Sequence, residues 1–296
     1  MSGNESSNGA AAPEAEELGT RQRAETVHPW QRYVALGDSF TEGIGDPDPE
    51  RPGYHIGWAD RVAQELARST ENFAYANLAV RGRLIEQIRD EQIAPALELK
   101  PDLITLCAGG NNVIRPGSDP DETARILDTM VQLLATTGAT IVLFNGPDVH
   151  DTPVMGSIRG KVAIFNENVR TVAKRHDAVV ADMWSLRELT AKEMWDEDRL
   201  HFSPLGHHTI AREVLDTLNV KHELDPVTPQ PPAERSWREA RVDDVVWARH
   251  HLFPWVIRRL RGRSSGDGIT AKRPEIEPLF GGSMPPGGSS SEAEKS

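Results

Sequence analysis

Short apolar segments alternate with amphipathic ones through the middle of the chain. Five apolar segments have the length and composition of β-strands: residues 33–36, 73–78, 103–107, 141–144 and 178–181. Between them, apolar residues recur at the four-residue spacing of a helix face, and the clearest stripes are Trp58-Val62-Leu66 and Ile126-Met130-Leu134. This alternation predicts an α/β domain with a five-stranded parallel sheet covered by helices on both faces.

The composition changes on both sides of this region. Residues 1–28 are rich in Gly, Ala, Ser and Glu and have no apolar period, which predicts a disordered tail. The α/β domain is therefore expected to cover residues 29–220. A Pro-rich linker over 221–235, a helical C-terminal appendage over 236–280 and a disordered tail over 281–296 are predicted to follow.

The charge and cysteine content narrow the function classes. The 296 residues carry a net charge of -12, and an acidic surface argues against a nucleic-acid partner. No basic and apolar leader opens the sequence, and no segment is apolar enough to span a bilayer. Because the single cysteine, Cys107, also fits a reducing compartment, we expect a cytoplasmic protein.

The appendage contains tryptophans close to an arginine cluster, at Trp247, Trp255, Arg258 and Arg259. Such a segment could contact an anionic membrane surface weakly through residues 236–263. The alternative, which we favour, is that its apolar stripe packs on the α/β domain as a strap or partial lid.

Polar residues follow the predicted strands, where an open parallel sheet places its ligand crevice. Ser39, in Gly37-Asp38-Ser39, follows the first strand, and the loop before the last predicted helix contains Asp198 and His201. A serine hydroxyl becomes a nucleophile when an imidazole takes its proton and a carboxylate orients that imidazole. Each residue also has an ordinary interpretation, because Ser39 could cap a helix and His201 could be a surface histidine.

Two further strand ends could supply an oxyanion hole. Gly82 follows the second strand and could offer a backbone N–H, while Asn111, in Gly109-Gly110-Asn111-Asn112, could offer a side-chain amide. The alternatives are a turn glycine and a helix-capping asparagine.

Taken in order, Gly37-Asp38-Ser39, Gly82, Gly110-Asn111 and Asp198-x-x-His201 resemble the four conserved blocks of the SGNH (GDSL-type) hydrolase superfamily. The resemblance covers residues 33–218. It implies a three-layer α/β/α flavodoxin-like fold, with Ser39 as nucleophile, His201 as base and Asp198 as its orienting carboxylate. It also implies an oxyanion hole formed by the backbone N–H groups of Ser39 and Gly82 and the side chain of Asn111.

Two positions depart from the family pattern. Phe40 stands where the name-giving leucine is usual, at a position that packs and does no chemistry. Asn112 replaces the usual aspartate, and because an amide keeps an acceptor oxygen we expect activity to survive. His207 and His208 lack partners at metal-ligand spacing, so neither a metal nor a cofactor is predicted.

The substrate contacts are less determined. Arg81, Asn112 and Arg115 lie beside the predicted oxyanion loops and are candidate substrate-binding residues, since a guanidinium there could hold a carboxylate or phosphate. The favoured alternative for the arginines is salt bridging with Glu42, Glu86 or Asp119.

These observations together predict a serine esterase or acyl hydrolase that cleaves a small-molecule ester with a small or medium acyl group. A lysophospholipase- or thioesterase-type lipid acyl hydrolase and a carbohydrate deacetylase remain alternatives. An inactive SGNH-fold binding protein is the alternative from a different class. The sequence leaves the leaving group and the oligomeric state open.

Overall fold

The computed structural model describes residues 28–70, 72–150, 152, 155–229, 249 and 265–280. Within them one sheet has the strand order β5-β4-β3-β1-β2-β6. The strands are β1 (Arg32–Gly37), β2 (Ala74–Asn77), β3 (Leu103–Cys107), β4 (Thr140–Phe144), β5 (Val179–Ala181) and β6 (Arg273–Pro278). The five predicted strands are present and parallel, and β6 adds a sixth that pairs antiparallel with β2.

Helices cover both faces of the sheet, which confirms the predicted three-layer α/β/α fold. They are α1 (Ser39–Glu42), α2 (Gly57–Ala67), α3 (Ile85–Glu98), α4 (Gly110–Val113), α5 (Pro120–Ala135), α6 (Arg159–Arg175) and α7 (Pro204–Thr217). Helices α2 and α7 pack on one face, and α3, α5 and α6 pack on the other. Short 3₁₀ turns occur at Met155–Ile158, Arg187–Thr190 and Lys192–Met194.

Strand β1 lies in the middle of the sheet and explains how the two cores form. Its side chains alternate between the faces, so that Tyr33 and Ala35 join the core under α2 and α7 while Val34 and Leu36 join the opposite core. All four are fully buried. A strand buried on both faces has an unbroken apolar sequence, which is why this segment was recognisable as a central strand.

Capping residues determine where two of the longer helices start. The side chain of Asp119 accepts the backbone N–H of Asp121, and Pro120 follows as the first residue of α5. Ser203 and Pro204 repeat this arrangement at α7. A side-chain oxygen satisfies an otherwise unpaired N–H, and proline there loses no hydrogen bond, so both helices begin at these residues.

The C-terminal part of the chain corrects one prediction. Residues 273–278, which the sequence analysis placed in a helical appendage, form β6. Its six residues include two prolines and three charges, a composition that suits an edge strand exposed on one side. Residues 236–248, 250–264 and 281–296 lie outside the described residues, so the membrane-surface contact through 236–263 stays a prediction.

The predicted domain start needs a shift of one residue. His28, assigned above to the tail, is buried and bonds through Nε2 to the carbonyl oxygen of Leu66 at 2.9 Å. Its ring stacks on Trp30, with 5.6 Å between the ring centroids.

Residues 1–27 and 230–235 lie outside the described part of the chain, and residues 221–229 have no regular secondary structure. Among the helices described, none is long and apolar enough to cross a membrane.

Candidate active site

The turn after β1 places Ser39 at the carboxyl edge of the sheet. Gly37 ends the strand where a Cβ atom would lie 2.5 Å from the carbonyl oxygen of Cys107, so only glycine fits. The buried side chain of Gln92 accepts the N–H of Gly37 at 2.9 Å and donates to its carbonyl at 2.8 Å. Ser39 then begins α1, capped by the carboxylate of Asp38. The turn that carries Ser39 is therefore held by the side chain of Gln92, from α3, and by the Asp38 cap.

Ser39, His201 and Asp198 form a continuous chain of hydrogen bonds. Ser39 Oγ lies 2.9 Å from His201 Nε2, and His201 Nδ1 lies 2.6 Å from Asp198 Oδ2. Because a carboxylate only accepts, Nδ1 carries the proton and Nε2 is left to accept from the serine hydroxyl. The sequence places His201 162 positions after Ser39, and the fold brings the two into contact.

Asp198 is held as a carboxylate by its own loop. Its Oδ1 accepts the backbone N–H groups of Leu200 and His201, both at 2.9 Å. Burial alone would raise the pKa of Asp198, but the hydrogen bonds and charge of His201 and the two backbone N–H groups outweigh burial and lower that pKa to about 2. Asp198 is therefore ionised across the neutral pH range.

Asn111, the candidate oxyanion donor, begins the turn after β3. Its Nδ2 donates to Asp38 Oδ2 at 3.0 Å and to the carbonyl of Arg83 at 3.1 Å. Burial raises the pKa of Asp38 to about 6, although the Phe40 N–H, His201 and Asn111 act in the opposite direction. The amide of Asn111 is thus oriented by two acceptors from two different loops.

Gly82 lies in the loop after β2, with a φ of 73°. The residue before it, Arg81, is fastened to α1: Glu42 Oε2 accepts the Arg81 N–H at 2.6 Å, and Glu42 Oε1 accepts Arg81 Nε at 2.9 Å. Glu42 stands three residues after Ser39 on the same helix. The helix of Ser39 and the loop of Gly82 are therefore tied together by one carboxylate.

A cavity of about 170 Å³ opens beside these groups. Ser39, Asn111 and His201 lie on its wall together with the buried Asn145. The rest of the wall is mostly apolar and includes Phe40, Val113, Ile114, Phe144, Val149, Met155, Ile158, Val162, Phe165, Met183, Trp195, Leu200 and Phe202. Such a lining can hold an apolar chain next to the serine hydroxyl. Cys107 also borders the cavity, and burial raises the pKa of its thiol.

The structure does not place the three predicted substrate contacts on that wall. Arg81 is paired with Glu42, as the salt-bridge alternative anticipated. Asn112 is directed at α3, where its Oδ1 accepts the N–H of Ile85 at 2.9 Å and its Nδ2 donates to both carboxylate oxygens of Glu86. Arg115 follows the wall residue Ile114, and its Nε is buried without a hydrogen-bond partner. Asn112 therefore positions the Asn111 turn and does not face the cavity.

Histidines next to the site have structural roles. His207 is fully buried; its Nδ1 accepts the N–H of Trp58 at 3.2 Å, and its Nε2 donates to the carbonyl of Ile44 at 3.1 Å. Burial lowers the pKa of His207 to about 3, so it stays neutral. Across the described residues no group of three or more His, Cys, Asp or Glu side chains has a geometry that could hold a metal ion.

Comparison with known proteins identifies the family. Residues 35–209, more than half of the chain, match the model of the GDSL-like Lipase/Acylhydrolase family. The chain belongs to this family. Within this GDSL-like chain the four blocks quoted above, from Gly37-Asp38-Ser39 to Asp198-x-x-His201, all fall inside the matched residues, and their side chains or loops meet at one edge of the sheet. The chain is thereby a member of the SGNH hydrolase superfamily.

Solved structures share the fold of this GDSL-like protein. TesA has a TM-score of 0.53 at 20% identity, with 64% of this chain and 98% of TesA covered. Axe2, an acetylxylan esterase from Geobacillus stearothermophilus, has a TM-score of 0.50 at 19% identity, with 64% of this chain and 95% of Axe2 covered. The esterase EstA from Pseudoalteromonas sp. has a TM-score of 0.52 at 15% identity, with 64% of this chain and 97% of EstA covered.

A shorter stretch resembles a curated protein. The uncharacterized protein YpmR of Bacillus subtilis (strain 168) is 30% identical over 86 residues, which are 28% of this chain. The match spans about a third of the length of YpmR, 32%. This match indicates no activity for the chain.

Phe40, the departure from the family's name-giving leucine, packs in an aromatic cluster. Its ring centroid lies 5.4 Å from that of Trp58 and 5.7 Å from those of Phe144 and Phe202. Phe40 also lies on the cavity wall. The larger side chain therefore fills space between the core and the cavity.

Proposed function

We propose that this protein is a serine esterase or acyl hydrolase that cleaves small or medium acyl esters through an acyl-enzyme intermediate at Ser39. The observation that carries the proposal is the hydrogen-bonded chain from Ser39 Oγ through His201 to Asp198, with contacts of 2.9 and 2.6 Å. It lies beside a cavity with room for an acyl group. Nucleophile, base and orienting carboxylate are the parts that acyl transfer needs.

In the first half-reaction Ser39 Oγ attacks the carbonyl carbon of the ester while its proton passes to His201 Nε2. The imidazolium that forms is stabilised by Asp198. Collapse of the tetrahedral intermediate breaks the bond to the leaving alcohol, which takes the proton from Nε2. Ser39 now carries the acyl group as an ester.

In the second half-reaction water attacks this ester and gives its proton to His201, and the proton then returns to Ser39 as the carboxylic acid leaves. In both steps negative charge develops on the former carbonyl oxygen. We assign its stabilisation to the N–H groups of Ser39 and Gly82 and to Nδ2 of Asn111. An oxyanion competes for the Asn111 amide with Asp38 and the Arg83 carbonyl, and it succeeds only when its charge develops.

The apolar lining supports an acyl chain of several carbons over an acetyl group on a sugar. The acetylxylan esterase Axe2 shares the fold, but this chain's cavity wall is dominated by Phe, Val, Ile, Met and Leu side chains. Each buried methylene is worth about 0.8 kcal/mol, so kcat/KM should rise roughly fourfold per methylene until the cavity is full. A lysophospholipid or thioester with such a chain fits the same cavity.

The test compares full-length protein with Ser39→Ala on p-nitrophenyl esters of increasing chain length, with acetylated xylo-oligosaccharide as a separate arm. We expect Ser39→Ala to lower kcat by roughly 10⁴ to 10⁶, while exposed Ser185→Ala changes nothing. Unchanged rates for Ser39→Ala would remove the assignment. A fluorophosphonate probe that fails to label Ser39 would instead favour the inactive binding protein. Preference for the acetylated sugar would favour the deacetylase.

A further inference from the structure

Strand β6 lies outside residues 35–209, the part of the chain that matches the family model. It pairs with β2 in antiparallel register, with Asn77 opposite Arg273 and Ala74 opposite Pro278. Because the two strands run in opposite directions, the beginning of β6 lies at the carboxyl end of β2. That end leads directly into the loop that contains Gly82.

A largely buried ion pair fastens the start of β6. Lys272 Nζ lies 3.0 Å from Asp60 Oδ1 and donates to the carbonyls of His55 and Ile56 at 3.0 and 2.7 Å. The carboxylate of Asp60 is fully buried and also accepts the hydroxyls of Tyr54 and Tyr75. Removing one partner of a buried ion pair is costly, so this segment is a fixed part of the domain.

The turn before β6 contacts both neighbours of Gly82. Gly266 is buried against the loop, and a Cβ atom on it would lie 2.1 Å from the carbonyl oxygen of Arg81. On the other side, Asp267 Oδ1 lies 3.7 Å from the guanidinium of Arg83. Both neighbours of Gly82 therefore have contacts outside their own loop: Arg81 with Glu42 and Gly266, and Arg83 with Asn111 and Asp267.

From this arrangement we infer that the C-terminal turn 265–268, through Gly266 and Asp267, positions the loop that holds the Gly82 N–H. The inference rests on the proposed function, in which that N–H stabilises the oxyanion. Gly266 and Asp267 are positioning residues, because they contact Arg81 and Arg83 and not the reacting atoms. The GDSL-like core of this chain is completed by a segment from outside the matched region.

The test uses two glycines of the same turn. Gly266→Ala pushes against the Arg81 carbonyl, whereas Gly268→Ala meets nothing within 4 Å and strains only its own backbone, which has a φ of 77°. We expect Gly266→Ala to lower kcat roughly 10- to 100-fold with KM within about twofold of wild type, because a displaced oxyanion donor affects the transition state and not binding. Gly268→Ala should keep the wild-type kcat.

Hydrogen exchange measured by mass spectrometry separates this inference from the proposed function. Peptides covering residues 79–84 should exchange faster in Gly266→Ala than in wild type or Gly268→Ala, whatever the activity. Absence of Ser39-dependent hydrolysis would reject the proposed function alone. Equal kcat, or equal exchange of that loop, in the two glycine variants would reject the positioning role. If Gly266→Ala does not fold, Asp267→Ala, at an exposed residue, takes its place with the same readouts and a smaller expected drop of about two- to fivefold in kcat.

Discussion

Asn111 Nδ2 donates a hydrogen bond of 3.0 Å to Oδ2 of Asp38. The other oxygen of this carboxylate, Oδ1, accepts the N–H of Phe40 at 3.1 Å. Two donors therefore face the two oxygens of one side chain. One of these bonds caps the helix that begins at Ser39, and the other orients the proposed oxyanion donor.

This arrangement predicts that Asp38→Asn impairs catalysis. An amide replaces one acceptor oxygen by an NH2 group, which would point at a donor, so either the cap or the Asn111 contact is lost. We expect kcat to fall about 10- to 100-fold and the free energy of unfolding to fall by about 1 kcal/mol. Steady-state kinetics and urea denaturation measure both. Asp119→Asn, at the cap of α5, is the control and should leave kcat unchanged; an Asp38→Asn enzyme with wild-type kcat would contradict the assigned role.

Restoring the family's usual aspartate at Asn112 should be harmful in this chain. The amide of Asn112 donates to both oxygens of Glu86, so Asn112→Asp would bring two carboxylates together in a partly buried site. We expect a loss of about 1–3 kcal/mol in unfolding free energy at neutral pH, relieved when Glu86→Gln is added. Urea denaturation of the double-mutant cycle measures this coupling. Asn168→Asp, beside exposed Asp121, is the matched surface control and should change the unfolding free energy little. If the effects of Asn112→Asp and Glu86→Gln on the unfolding free energy are additive, the two side chains do not repel each other as proposed.

The buried His207 predicts acid sensitivity. Burial lowers the pKa of His207 from 6.5 to about 3 in the folded protein. Between these two pH values the unfolded chain therefore binds a proton at this histidine that the folded protein does not bind. The contribution of neutral His207 to stability is therefore complete above about pH 6.5 and is lost as the pH falls towards 3, a change of a few kcal/mol.

His207→Gln should be less stable than wild type at pH 7, because it loses hydrogen bonds, and its stability should fall less between pH 7 and 4. Urea denaturation at several pH values measures the slope, and His208→Gln, on the same helix, is the control. Identical slopes for wild type and His207→Gln would show that this histidine does not carry the acid dependence.

Phe40→Leu, which introduces the family's usual residue, should enlarge the cavity. We expect a stability loss of about 1 kcal/mol and a shift of the preferred acyl chain towards longer esters, measured as kcat/KM along the p-nitrophenyl series. Phe73→Leu, buried in the same core but absent from the cavity wall, should lose stability without a shift in preference. An unchanged chain-length profile in Phe40→Leu would mean that Phe40 does not limit the cavity.

The central part of the fold was predictable because both faces of its strands are buried. Residues 33–36 and 103–107 match β1 and β3 within one residue at each end. Strand β6, Arg-Pro-Glu-Ile-Glu-Pro, was missed because it is an edge strand with two prolines and no apolar alternation, and its first residue, Arg273, is a charged side chain that is nevertheless buried.

Some polar contacts of the site were likewise predictable from the sequence, and others were not. Ser39, Asn111 and His201 were predictable because each follows a strand or precedes a helix in a recognisable block. Salt bridging of Arg81 with Glu42 was the favoured alternative, but the bond from the Arg81 backbone N–H to the same carboxylate was not predictable, because the two segments, 39 positions apart in sequence, become neighbours only after folding. The same holds for Asp60 and Lys272, whose contact joins the beginning of the domain to the end of the described chain.

The pairing of β6 with β2 also has a consequence for biosynthesis. The ribosome delivers β1 and β2 early, but the partner that closes this edge emerges only after the rest of the sheet has been made. Closing such a long loop is slow compared with local folding. During translation the edge of β2 therefore stays unpaired until the last strand arrives, and an unpaired strand edge favours association with other chains.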